Sequence, residues 1–183
     1  EVFALLQQGL VARRFGLDAD ALDQVHQWLR EAGFHWALDA AQRAELELPA
    51  HPRHTLADAL ERLFLGHAMP EQQPWPFDGR LGAGQAEGSG ALALGALWRF
   101  AQALQQARAS LQRPHAPEAW ATLLNRLLDE FIAADEAALD ELRELRQTLR
   151  QLVDDMRAGG ADAALPLPVR GSSDAKETER GIL

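Results

Sequence analysis

The stretch Leu142-Arg-Glu-Leu-Arg-Gln-Thr-Leu-Arg-Gln-Leu-Val-Asp-Asp-Met156 decides the fold class. Leu142, Leu145, Leu149, Leu152 and Met156 recur at alternating steps of three and four, the period of a helix and not of a strand. The spacing predicts the seam of an antiparallel helical pair or a short coiled coil. Charged residues such as Asp140, Glu141, Glu144 and Arg146 surround that seam and belong in water. Gly159-Gly160 ends the helix.

Working back toward the N-terminus, the same period recurs. Pro117 suits a first helical position and opens a helix carrying Trp120, Leu123, Leu124, Leu127 and Phe131. Another runs from Ala91 to about Gln112, with Leu94, Leu97, Ala101 and Leu104 in a stripe, and halts before Pro114. Thr55 with Asp58 predicts a cap for a helix bearing Leu56, Leu60, Leu63 and Phe64, closed by Gly66 and Pro70. Asp39 with Gln42 reads as a capping box for a short helix stopped at Pro49. Asp18 caps a helix lined by Leu22, Val25 and Leu29 and ended by Gly33. A first helix is expected over Val2 to Phe15. After the last helix, Leu165-Pro-Leu-Pro-Val169 is too proline-rich for an interior strand.

Composition agrees with the periodicity. The 183 residues include 34 Ala and 31 Leu but only 5 Val, 2 Ile, 4 Thr and no Tyr, so the residues a sheet needs are scarce. The expected fold is mainly α, a domain of six or seven helices over residues 1–170, followed by a polar tail over 171–183. No apolar run approaches the roughly 18 residues of a membrane span. No basic stretch followed by an apolar one marks a signal peptide, and a start at Glu1 in place of Met reads as a processed chain or an excised piece. Without cysteine there is no disulfide, thiolate metal site or cysteine nucleophile here, which fits a cytoplasmic protein. The net charge of −9 argues against a free-standing duplex-DNA binder.

Candidate chemistry is sparse. Between Pro70 and Gly90 the chain turns rich in Gly and Pro, and Trp75 and Phe77 within it favour a packed loop over a free linker. Gly82-Ala-Gly84-Gln-Ala-Glu-Gly88 lacks the Gly-Lys-Ser/Thr of a phosphate loop and no strand precedes it, so it reads as a flexible loop. The only lysine, Lys176, stands in the polar tail. His51 and His54 have no evident third or fourth metal ligand and read as solvated residues ahead of the Thr55 cap. His35 and His67 read as packing or interface side chains. The acidic pairs Asp129-Glu130, Asp135-Glu136 and Asp154-Asp155 point in different directions on a helix and form no two-carboxylate site. No serine lies in a Gly-x-Ser-x-Gly setting. The tryptophans belong mostly to apolar stripes, but Trp36 and Trp75 lie near loops, where indoles serve recognition. With His35 and the loop arginines Arg53 and Arg80 they are the candidate DNA or partner contacts. The competing reading of the arginines is that they solvate an acidic surface. No catalytic, cofactor-binding or metal residue is assigned.

Four strings then arrive in order: Arg14-Phe-Gly-Leu-Asp18, Glu31-Ala-Gly-Phe-His-Trp-Ala-Leu-Asp39, Glu47-Leu-Pro49 and Leu60-Glu-Arg-Leu-Phe-Leu-Gly-His-Ala-Met69. Together they resemble the RecC family, the gamma subunits of exodeoxyribonuclease V (the RecBCD helicase–nuclease). Phe77-Asp-Gly79, Glu87-Gly88, Glu118-Ala-Trp120 and Leu127-Leu-Asp-Glu-Phe131 fit the same region. The resemblance covers roughly residues 3–170, and the strings between Phe15 and Met69 are its specific part. It implies a helical insertion of the type called subdomain 2B in superfamily 1 helicases. Arg180-Gly-Ile-Leu183 would then approach the strand resuming a RecA-like domain. It further implies a noncatalytic module, without cofactor, in a subunit that binds RecB-like and RecD-like partners. The parent assembly would unwind DNA ends and recognise Chi. The chain departs from the family where His35 replaces an arginine, His67 a tyrosine and Leu56 a tryptophan. The alternative is a free-standing helical adaptor pairing through the Leu142–Met156 seam.

Overall fold

A computed structural model describes residues 2–69, 76, 79, 81–84, 89–161 and 163–167. They form α1 (Val2–Leu6), α2 (Gly9–Phe15), α3 (Ala19–Glu31), α4 (Ala40–Glu45), α5 (Leu56–Ala68), α6 (Ser89–Leu111), α7 (Pro117–Phe131) and α8 (Glu136–Ala158). The mainly α expectation holds: among the described residues, strand pairing is confined to an isolated antiparallel bridge between His115 and Leu165. No described helix is long and apolar enough to cross a membrane. Trp75, Phe77, Arg80, residues 85–88 and the tail from 171 lie outside the described residues.

Among the described residues the helices number eight because the expected first helix is two. Gln8 adopts an extended backbone, φ −65° and ψ 125°, and its carbonyl accepts from the Val11 and Ala12 N–H groups to start α2 afresh. Gly9 disfavours helix continuation by about 1 kcal/mol relative to alanine, which makes this the weak point of the run. Gly16, in the left-handed region at φ 75°, then closes α2.

Helix α6 is the centre of the domain, with α2, α3, α5 and α7 packed around it. Leu94, Leu97 and Phe100 of α6 are fully buried against Val25, Trp28 and Leu29 of α3 and Leu56, Leu60 and Leu63 of α5. Its alanines at 93, 96, 101 and 103 are buried too; short side chains let neighbours approach from several sides. The Phe15 ring meets Phe100 edge-on at 5.2 Å and Phe131 at 5.9 Å, which joins α2, α6 and α7. Trp28 is core as its stripe predicts. Trp98 is not: it is 40% exposed and touches Phe64 edge to face.

Helix α8 lies antiparallel to α7. A four-residue connection joins them, and Arg146 pairs with Asp129 while Arg157 pairs with Glu118, so the contacts run in opposite directions along the two helices. The seam differs from the sequence expectation. Ala138 is buried and Leu142, Arg146, Leu149, Val153 and Met156 are half-buried, while Leu145 and Leu152 are exposed. The expected seam mixed two adjacent stripes, and only one meets α7. Beyond α8 the chain folds back. Leu165 exchanges both backbone hydrogen bonds with His115, and its carbonyl also accepts from Trp120 Nε1 at 2.8 Å.

Candidate functional site

Two capped helix starts, those of α4 and α5, build adjoining loops. Asp39 accepts from the Gln42 N–H at 2.8 Å, and Gln42 Oε1 accepts from the Leu38 N–H at 2.6 Å. Thr55 Oγ1 accepts from the Asp58 N–H at 3.3 Å, and Asp58 Oδ2 accepts from the His54 N–H at 3.0 Å. In both boxes the returning side chain reaches the residue before the cap. The starts are also joined to each other. The N–H groups of Leu56 and Ala57, orphans at the head of α5, donate to the carbonyls of Ala37 and Leu38.

These bonds hold residues 33–38 against residues 51–55. The His54 carbonyl accepts from the N–H groups of His35 and Trp36. The His35 and His54 rings stack with centroids 4.7 Å apart and planes 16° from parallel. His54 Nδ1 donates to the Gly33 carbonyl at 2.8 Å, so that nitrogen carries the hydrogen. Trp36 is 42% exposed, and the Arg43 guanidinium lies over its ring with Cζ 4.8 Å from the centroid. Arg43 Nη1 donates to the His51 carbonyl, and the Arg53 N–H donates to His51 Nδ1 at 3.2 Å. Ala37, Glu47 and His54 all take left-handed backbone at φ 69°, 58° and 65°. That is an unusual concentration for residues other than glycine.

Of the sequence-derived contact candidates, the fold therefore gathers His35, Trp36 and Arg53 on one exposed surface. Trp75 and Arg80 lie outside the described residues. Arg43 and the pairing of His54 with His35 escaped the sequence reading, because each depends on two loops meeting. His51 and His54 are more than solvated residues: each makes a directed ring contact within the loops. Among the described residues no three His, Asp or Glu side chains come together as a metal site.

The glycines at 82 and 84 have a packing role. Leu81–Gly84 lies across α5, where the Ala83 N–H donates to the Arg62 carbonyl and Arg62 Nε donates to the Leu81 carbonyl. A methyl group on Gly66 would sit 2.4 Å from the Ala83 oxygen. Gly66 is thus a close-approach position inside α5, not the expected helix stop. The acidic pairs are engaged singly. Asp135 caps α8 through the Ala138 N–H and binds Arg13. The Ala138 hydrogen bond holds the Asp135 carboxyl below the ordinary carboxylate range; desolvation opposes it, and Arg13 adds to the lowering.

A family model described as RecBCD enzyme subunit RecC fourth domain matches residues 1–173, which takes in every helix and both loops of this surface. The chain belongs to the RecC family. RecBCD enzyme subunit RecC of Escherichia coli (strain K12) is 31% identical over 159 residues, 81% of this chain and 14% of that protein. RecBCD enzyme subunit RecC of Mycobacterium tuberculosis (strain ATCC 25618 / H37Rv) is 28% identical over 185 residues, 96% of this chain and 16% of that protein. The chain thus spans about one-seventh of the length of these RecC relatives. The resemblance carried by the strings between Phe15 and Met69 is the one the family model supports.

Proposed function

We propose that this chain is a noncatalytic structural and interaction domain of a RecC-like gamma subunit. The parent would be a cytoplasmic RecBCD-type helicase–nuclease that unwinds DNA ends for recombinational repair of double-strand breaks and recognises Chi. The observation that carries this reading is the RecC fourth-domain match over residues 1–173. In this reading the chemistry and its cofactors belong to other subunits. The eight helices form a 2B-like insertion within a RecA-like domain of the parent. Its protein partners are the remaining gamma-subunit domains and RecB-like and RecD-like subunits, and DNA is reached through the parent complex. The α8 stripe turned toward α7 speaks against an adaptor pairing through Leu142–Met156, since Leu142, Leu149 and Met156 are already half-buried.

The test uses the full-length parent protein, co-expressed with RecB-like and RecD-like subunits from the same genome. Co-purification of the three and ATP-dependent unwinding of a blunt duplex are expected. Deleting residues 2–167 should abolish assembly or unwinding. A parent that purifies alone, or a complex that unwinds normally without these residues, refutes the assignment.

A further inference from the structure

We propose that the groove between the end of α6 and α7 docks an acidic peptide segment of a partner protein, one with an apolar residue beside its carboxylates. Arg113 and Arg126 would hold the carboxylates, and the apolar residue would rest on Ala119 and Leu123. The groove stands apart from the loops between α3 and α5 and is a property of the fold, whatever assembly carries it.

Charge sets this region apart in the sequence. The chain has 27 acidic residues and a net charge of −9, yet none of the acids falls between Glu87 and Glu118. Residues 88–117 hold Arg99, Arg108 and Arg113, a net +3 with His115 counted neutral, so the remainder of the chain carries −12. Arg99 and Arg108 are engaged away from the groove, on the Phe15 carbonyl and on Glu45. Arg113 and Arg126 are both exposed, and among the described residues neither is in an ion pair. The carboxylates of α7 do not line the groove. Glu118 is bound by Arg157, Asp129 is bound by Arg146, and Glu130 is half-buried one turn beyond Arg126.

The groove is built in advance of any ligand. Ser110, Arg113, His115, Ala119, Leu123 and Arg126 line a cavity of about 390 Å³. Ser110 ties its two sides together. Its hydroxyl oxygen accepts from Arg126 Nη2 at 3.1 Å, which holds that guanidinium over the groove. Its carbonyl accepts from His115 Nε2 at 2.8 Å and from the Arg113 N–H at 3.3 Å. The His115 ring meets Trp120 edge to face, with centroids 4.9 Å apart, and its backbone exchanges both hydrogen bonds with Leu165. The Ser110 hydroxyl keeps its own hydrogen to donate, and Arg126 keeps most of its fork of N–H groups. A surface set in advance loses little freedom on binding.

Two guanidiniums beside a buried leucine fit an acidic peptide better than a nucleic acid. Protein partners seat an apolar anchor in a pocket and place charge at its rim, and arginine clusters recognise acidic motifs through forked hydrogen bonds. A nucleic acid strand needs a run of cations along its backbone together with aromatic faces for its bases. Here Trp120 already packs on His115 and donates to the Leu165 carbonyl. The neighbouring helix α8 begins with Glu136, Asp140, Glu141 and Glu144, which would repel phosphates continuing in that direction.

The test is fluorescence anisotropy of the labelled peptide Glu-Glu-Leu-Phe-Glu-Glu titrated with the 183-residue chain at low salt, where exposed ion pairs are least screened. Saturable binding is expected, with the all-glutamate peptide and the glutamine version Gln-Gln-Leu-Phe-Gln-Gln both weaker. Arg126→Ala should weaken binding about five- to tenfold, the usual size of a charge-assisted hydrogen bond near a surface. Arg126→Lys should restore only part of it, because the fork is lost. Arg113→Ala should weaken binding and flatten its salt dependence. Ala119→Glu, at an exposed helical position, should abolish it, while Arg143→Ala on α8 should change nothing. Far-ultraviolet circular dichroism should be the same for all variants. Absence of binding, or binding indifferent to both Arg113→Ala and Arg126→Ala, overturns the proposal. So does equal binding of the all-glutamate peptide, or stronger competition by an oligothymidylate, which would assign the groove to a nucleic acid. Co-purification with a RecB-like subunit is indifferent to all of these outcomes.

Discussion

Replacing Gly66 by alanine sets two physical effects against each other within one residue. In the interior of a helix, alanine is favoured over glycine by about 1 kcal/mol, so propensity alone predicts a more stable protein. The new Cβ, however, would stand 2.4 Å from the Ala83 oxygen and 2.6 Å from the Gly84 oxygen. Both contacts are with backbone, which cannot rotate aside as a side chain can. Leu81–Gly84 must therefore lift from α5. That releases the 2.8 Å bond from the Ala83 N–H to the Arg62 carbonyl and the 3.1 Å bond from Arg62 Nε to the Leu81 carbonyl. At about 1 kcal/mol for each bond, and about 1–3 kcal/mol for the crowding if the segment stays, loss exceeds gain. The expected net effect is a destabilisation of about 1–2 kcal/mol, or a melting temperature lower by roughly 2–8 °C for a domain of this size. Gly95 is the matched control. It also lies within a helix, but the nearest atom to its added methyl is Arg99 Nη1 at 3.7 Å, so Gly95→Ala should raise the melting temperature by roughly 2–4 °C. Circular dichroism melts at 222 nm, a standard helix wavelength, suffice. If Gly66→Ala melts at or above the parent, residues 81–84 are not seated on α5 as described.

Three further outcomes follow from the packing. Leu149→Asp places a charge on the stripe against α7 and should cost about 2 kcal/mol or more in urea unfolding, whereas Leu152→Asp on the exposed stripe should stay within about 0.5 kcal/mol; equal effects would refute the α7–α8 register. Asp135 has its carboxyl held low by the Ala138 N–H and Arg13, so its contribution to stability is complete above the unfolded pKa of about 4 and is lost as pH falls through the depressed folded value. Asp135→Ala should therefore lower the melting temperature at neutral pH, and the gap to the parent should narrow in acid below about pH 4. Trp120→Phe removes the Nε1 donor to the Leu165 carbonyl and should cost about 1 kcal/mol, with faster hydrogen exchange at the Leu165 amide, which donates to His115.

What could be read from the sequence was what is settled within a few residues. Asp18, Asp39 and Thr55 cap their helices as their spacing predicts, since a cap needs only the residue three positions on. Pro117 likewise begins α7. Failures came where a distant partner decides. Gly66 resembles a helix stop until residues 81–84 are seen on it, because glycine serves both ends equally well. Leucine outranks arginine as a core residue, so the spacing alone puts Leu145 and Leu152 in the α8 seam. Arg146 nevertheless lies on the stripe toward α7, its stem half-buried while its charge reaches Asp129. The contact candidates show the same division. Trp36 and Arg53 stood out as an indole and a cation near loops, but Arg43 and the imidazole stack exist only once residues 33–38 and 51–55 are joined.

That joining explains why an exposed region carries strained backbone. Left-handed conformation costs a residue with a side chain about 1 kcal/mol or more, and Ala37, Glu47 and His54 all adopt it within a span of 18 residues. For Ala37 there is a structural return: it is buried, and its carbonyl takes the first N–H of α5. His54 is different. Its N–H bond to Asp58 and its carbonyl bonds to His35 and Trp36 would serve a glycine equally well, and glycine would carry no strain. What a glycine would lose is the ring, with its stack on His35 and its bond to the Gly33 carbonyl. Both of these act at the exposed side of the loops, where burial contributes little to stability. The side chain at 54 is thus better explained by the surface it builds than by the core it leaves untouched.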